Sequence, residues 1–124
     1  RQMCIRDRAY AAWREKQAGP AAVVASPQAP LALIDQGRAV FGASGCAACH
    51  TIRGTEANGL AGPDLTHVGS RQTLGAGILP NNQGTMAGWI ADSQGIKPGN
   101  RMPSYPVLTG QDLRAVAAYL ESLK

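Results

Sequence analysis

Aromatic residues are scarce in this chain, with two Trp, three Tyr and one Phe among 124 residues. Cysteine is also scarce: Cys4, Cys46 and Cys49 are the full set. An odd count, with Cys46 and Cys49 close in sequence and Cys4 remote, excludes a disulfide framework. No window approaches the roughly 18 consecutive apolar residues that a membrane-spanning helix requires. Residues 1–8 carry charge with no apolar stretch behind them, so they do not read as a signal peptide, and the expectation is a mature piece or a fragment. Basic side chains nowhere cluster with aromatics, which excludes a surface that tracks a phosphate backbone and hence nucleic acid as a partner. The net charge of +4 lies mostly in the leading arm: residues 1–30 carry +3 and residues 31–124 only +1.

Glycine is abundant, 15 residues against a usual share of about 7%. The length suits one small domain. A glycine-rich chain with few aromatics builds a thin core, and such chains are commonly completed by a disulfide, a metal or a large cofactor. With disulfides excluded, a cofactor is expected.

Residues 9–18 are expected to form a short helix around Tyr10 and Trp13. Residues 19–30 hold three prolines, four alanines and no charge, which reads as an extended, semi-stiff linker with a domain boundary near Pro30. A first domain helix is expected over about 31–45, where Ile34, Gly37, Val40 and Phe41 recur at helical spacing. A long loop then runs from Thr51 to about Gly84. A loop of that length needs something to wrap around. A second helix is predicted over about 85–94, with Thr85 as N-cap and Met86, Trp89 and Ile90 on one face. After the turn-rich stretch 97–103, a last helix starts near Thr109, with Asp112 at N3 and an apolar stripe at Leu113, Val116, Ala117 and Leu120. No convincing strand is present. The expected class is all-α: three main helices and long loops wrapped around one cofactor.

The motif Cys46-Ala47-Ala48-Cys49-His50 names that cofactor. Two thiols three residues apart can form thioethers to the two vinyl groups of one porphyrin, and the next residue then offers an imidazole to the iron. Half of a zinc site is the rival, but Cys4 and His67 fit no zinc spacing. A redox dithiol would sit after a strand in a βαβ unit, and none is visible. Met102, in a loop punctuated by proline and glycine and followed by Pro103, is the candidate second axial ligand, which would raise the reduction potential. Met86 reads as core packing. His67 is the rival axial ligand, although it lies in the same loop as His50.

With these residues in view, residues 31–124 resemble class I cytochromes c. The shared features are Gly37 and Phe41, C-A-A-C-H at 46–50, Gly62-Pro63-Asp64-Leu65, the Trp89 helix, Arg101-Met102-Pro103 and Ala118-Tyr119-Leu120. The resemblance implies that the first and last helices cross, with Gly37 and Phe41 against Val116 and Tyr119. It implies that the Pro63 carbonyl accepts the second ring N–H of His50, that Leu65 and Trp89 line the haem, and that Arg71 approaches a propionate. Iron ligation would fall to His50 and Met102, with haem c covalent through Cys46 and Cys49.

Thr51 to Thr55, Gly62 to His67, Leu79-Pro80-Asn81, Trp89 to Asp92 and Ile96 to Pro103 are further similar to the cytochrome c domain fused to subunit II of caa-type haem-copper cytochrome c oxidases. That resemblance implies that residues 1–30 are the tail of a copper-binding domain and its linker, and that residues 31–124 are the cytochrome domain. The copper ligand run and two membrane helices of that family are absent, so a copper centre is expected only upstream, and residues 3–8 match nothing in the family. Electron transfer is then expected from a cytochrome c or a quinol:cytochrome c reductase to the oxidase copper centre, in the periplasm or on the outer face of the bacterial membrane. Two other readings remain open: a free-standing soluble periplasmic cytochrome c, and a haem enzyme or gas sensor with an open sixth site.

Overall fold

The computed structural model describes residues 2–124, and side chains from Arg6 onward. Cys4 therefore lies outside the described side chains. Four α-helices follow in order: α1 Gln2–Ala18, α2 Leu31–Ala43, α3 Gln83–Ile96 and α4 Gly110–Glu121. Two single-turn 3-10 helices, Cys46–Ala48 and Val68–Ser70, lie between α2 and α3.

Helix α2 buries Ile34, Gly37 and Phe41, the face anticipated from spacing. Helix α4 buries every residue from Ala115 to Leu120, more than one stripe, because helices pack on two of its sides. Thr109 caps α4, its hydroxyl accepting from the Asp112 N–H at 3.1 Å. The α2–α4 crossing is close because Gly37 has no side chain. A Cβ there would collide with the Ala115 backbone and come 2.7 Å from Tyr119 Cβ. Phe41 and Tyr119 meet edge to face with centroids 5.9 Å apart, a favoured aromatic geometry. Burial pushes the Tyr119 phenol up, partly offset by the Arg38 guanidinium. Gly37 thus meets Ala115 and Tyr119, while Val116, one residue on, is buried and lines an apolar cavity together with Phe41.

Helix α3 begins two residues before its expected start. Asn82 is the N-cap and Thr85 the N3 residue of a reciprocal capping box, with Thr85 N–H to Asn82 Oδ1 at 2.9 Å and Asn82 N–H to Thr85 Oγ1 at 3.2 Å. Thr85 is therefore not the cap. The helix is broken at Asp92 (φ −145°, ψ 57°) and continues to Ile96. The expectation of no strands is also corrected: Thr73–Leu74 pairs antiparallel with Leu79–Pro80, making a two-stranded ladder inside the long loop.

The arm and the Ala/Pro stretch lie against the domain. Ala22 and Lys124 exchange backbone hydrogen bonds (3.1 and 2.9 Å), Val24 N–H reaches the Ser122 carbonyl at 2.9 Å, and Ala21 N–H reaches the Arg53 carbonyl at 3.0 Å. A segment with three prolines can still pair in this way, because Pro20, Pro27 and Pro30 fall outside the donor positions. Helix α1 starts earlier than the expected residue 9 and ends against the same surface. The Arg53 guanidinium donates to the Gln17 and Gly19 carbonyls, and His67 Nε2 lies 3.2 Å from the Gly19 carbonyl. These are carbonyls at the C-terminal end of α1, groups that a helix cannot satisfy itself.

Arg53 also pairs with Asp64 at 2.5 Å. Burial acts to raise the Asp64 carboxyl, but hydrogen bonds from Thr66 and the charges of Arg53 and His67 outweigh it and hold the group below the usual carboxylate range. A depressed folded-state pKa stabilises the fold fully above the unfolded value and loses that contribution as pH falls through the folded value.

Two outcomes follow. Gly37→Ala is expected to cost about 2 kcal/mol, a fall of roughly 10 °C in Tm for a domain of this size, checked by calorimetry. Asp64→Asn is expected to lower Tm at neutral pH. Its deficit against wild type should close as pH drops below about 4; a pH-independent deficit would remove the carboxylate from the explanation.

Candidate functional site

Residues 42–50 leave α2 through a left-handed turn at Gly45 (φ 75°) and enter the 3-10 turn Cys46–Ala48. The His50 N–H bonds the Cys46 carbonyl at 3.0 Å, so the two cysteines and the histidine are held within one turn. Neither Cys46 nor Cys49 is in a disulfide; Cys46 is half-buried and Cys49 exposed. Burial pushes the Cys46 thiol up, and the neighbouring Cys49 adds to this.

The imidazole is fixed from two sides. Its Nδ1 lies 2.7 Å from the Pro63 carbonyl, so that nitrogen carries the proton and donates. Gly62 packs against the ring; a Cβ there would stand 2.6 Å from His50 Cε1. The Gly62 N–H is itself anchored to the Cys49 carbonyl at 2.7 Å, and Leu65 N–H to the Thr51 carbonyl at 2.8 Å. Gly62 to Leu65 thereby form a cradle that holds the ring by its Nδ1 side and leaves Nε2 available.

His50 opens on a cavity that it shares with Cys46, Leu65 and Met102, walled by Phe41, Ile90, Val116 and Leu120 and closed by Val40, Tyr105 and Leu108. The structure thus brings together Cys46, His50, Leu65 and Met102, with Cys49 and Pro63 adjoining through the turn and the cradle. The donor set fits a haem c: two unpaired thiols, one imidazole with its distal nitrogen free, one thioether and apolar walls. His50 and Met102 would hold the iron, and Cys46 and Cys49 the porphyrin.

Two expected residues lie elsewhere. Trp89 is not part of this lining; its ring lies beside Gly75, where a Cβ would be 3.1 Å from Cζ3. Arg71 is exposed and donates to the Asp64 carbonyl at 2.5 Å. It borders a separate polar cavity of about 430 Å³ with Trp13, Gln17, Arg53, Asp64 and His67. His67, 8% exposed, faces that seam, away from Met102, so it is no rival for the iron. Among the described residues no three His, Cys, Asp or Glu side chains gather to hold a metal ion; Cys4, one of the ligands weighed for zinc, lies outside them. Tyr105 and Leu108 line the cavity without having been anticipated, since their segment carries no periodicity.

Gly62→Ala is expected to displace the His50 ring and lower covalent haem per chain several-fold, measured as pyridine haemochrome against protein. Gly42→Ala, where nothing lies within 4 Å of the added carbon, should leave haem content at the wild-type value.

Three relatives extend the comparison beyond geometry. The chain is 44% identical over 93% of its length to cytochrome c oxidase subunit 2 of Alkalihalophilus pseudofirmus. It is 34% identical over 93% of its length to the subunit of the same name from Bacillus sp. PS3, and 33% identical over 74% to that of Bacillus subtilis. It spans only about a third of each relative, at 31%, 32% and 27% of their lengths. The family model described as Cytochrome c matches residues 34–124, so the chain belongs to the cytochrome c family, whose members carry covalent haem c and transfer electrons.

Proposed function

We propose that the chain is the cytochrome c domain of a cytochrome c oxidase subunit 2, delivering single electrons to a copper centre in a domain that precedes it. The observation that carries this reading is the reach of the alignments. The family model begins at residue 34, yet two oxidase subunits align over 93% of the chain, which takes in most of the arm and the Ala/Pro stretch. A free-standing cytochrome has no reason to share that arm. Residues 1–30 are accordingly the tail of the upstream domain, and residues 31–124 the electron-carrying unit.

Haem c bound here supplies a one-electron ferric/ferrous couple. Cys46 and Cys49 would tether it, and His50 Nε2 would bind its iron, with the ring orientation set by the Pro63 carbonyl. Met102 would supply a second iron ligand. Leu65, Ile90, Val116 and Leu120 would exclude water from the bound group, which favours a raised potential. With both iron ligands drawn from the protein, the site would move electrons without binding a substrate at iron. The donor is a cytochrome c or a quinol:cytochrome c reductase, docking on the outer face of the membrane. With only +1 on residues 31–124, this docking should depend modestly on salt.

The test uses the intact oxidase that contains this chain. After rapid reduction of haem c by a photoactivated donor, the electron is expected to leave haem c for copper within the same complex, at a rate independent of protein concentration. A haem c that stays reduced until separate oxidase is added would make the chain a free-standing carrier. Carbon monoxide binding to the native ferrous protein would instead establish the open sixth site of an enzyme or gas sensor.

A further inference from the structure

The break in α3 at Asp92 has a specific occupant. In an unbroken helix the Gln94 N–H would bond the Ile90 carbonyl. Here the Ile90 carbonyl takes the Tyr105 N–H at 3.0 Å, and the Gln94 N–H goes to Ser104 Oγ at 3.2 Å. The loop after Met102 is thus inserted into one rung of the helix, a recognised origin of helix kinks.

The last turn of α3 then grips Met102 itself. Ser93, fully buried, donates from Oγ to the Met102 carbonyl at 2.8 Å. Gln94 Nε2 donates to the same carbonyl at 2.7 Å and to the Asn100 carbonyl at 2.8 Å. Asn100 Oδ1 accepts the Met102 N–H at 2.8 Å, while its Nδ2 bonds the Ser93 and Lys97 carbonyls at 2.8 and 2.7 Å. Met102 is therefore held at both its N–H and its carbonyl by three side chains, and Pro103 restricts its backbone to extended conformations. None of these side chains lines the cavity. A loop that merely closed the surface would not need both ends of one methionine peptide bound.

We infer that Ser93, Gln94 and Asn100 are positioning residues that hold Met102 on the iron and keep the sixth site closed to exogenous ligands. This rests on the reading of Met102 as axial ligand. Removing one grip on the loop should raise the population of the Met-detached form about tenfold, and the apparent affinity of an added ligand rises with the fraction of the competent form.

The experiment measures imidazole binding to the ferric holoprotein, together with the weak near-infrared sulfur–iron band. Ser93→Ala and Asn100→Ala are each expected to tighten imidazole binding about tenfold and to weaken the band. Asn100→Asp, which keeps the acceptor for Met102 N–H and loses both donors, should fall between Asn100→Ala and wild type, and serves if the alanine variant folds poorly. Thr109→Ala removes the α4 cap at a comparable cost in stability and should leave imidazole affinity unchanged. Wild-type imidazole affinity in both Ser93→Ala and Asn100→Ala, with Met102→Ala abolishing the band, would overturn the positioning role alone. Absence of the band from wild type, with Met102→Ala binding imidazole as wild type does, would overturn the ligand reading beneath it.

Discussion

The close crossing of α2 and α4 at Gly37 is the contact on which the other elements depend. Its tolerance is set by the Ala115 backbone, which leaves no space for a side chain. Because α2 ends at Ala43, three residues before Cys46, this crossing also sets where the C-A-A-C-H turn emerges. Because α4 presents Val116 and Leu120 from the same register, it sets the wall opposite that turn. A shift of one helix along the other would carry the cysteines away from the apolar surface that their cofactor must cover. Packed helices resist such a shift, since ridges seat in grooves at discrete positions.

Around that crossing, polar groups do the positioning and apolar groups do the excluding. His50 is oriented by a carbonyl and a glycine face; Met102 is oriented by a serine, a glutamine and an asparagine. The two residues proposed to hold the iron are thus fixed from different elements, one from the loop after α2 and one from the broken end of α3. Rigidity on both sides limits the nuclear rearrangement that accompanies a change of charge, and this is what an electron carrier requires of its protein. The arm is oriented by comparable means. Arg53 satisfies carbonyls at the end of α1 while pairing with Asp64, and residues 21–24 pair with the end of the chain.

Much of this was open to reading in the one-dimensional pattern. The C-A-A-C-H spacing is local chemistry, so it named the cofactor without any tertiary information. The α4 stripe from Leu113 to Leu120 and its Thr109 cap are likewise local, since helical period and capping act within one turn or two. Boundaries were less legible. Thr85 read as the N-cap of α3, whereas the cap is Asn82, three residues earlier, because Asn82 and Thr85 complete a reciprocal pair. The Ala/Pro stretch read only as an extended, semi-stiff linker, because pairing with Lys124 and Ser122 is invisible until the chain is folded.

Sequence alone determined the helical class and marked Cys46, Cys49 and His50 as the candidate haem-binding residues, because each rests on contacts between residues a few positions apart. Only the folded chain decided that Trp89 and Arg71 lie away from the cavity, that Tyr105 and Leu108 close it, and that Ser93, Gln94 and Asn100 converge on Met102. Those placements depend on the break at Asp92 and on the α2–α4 register, and both arise from competition among distant contacts. No local propensity encodes the outcome of that competition.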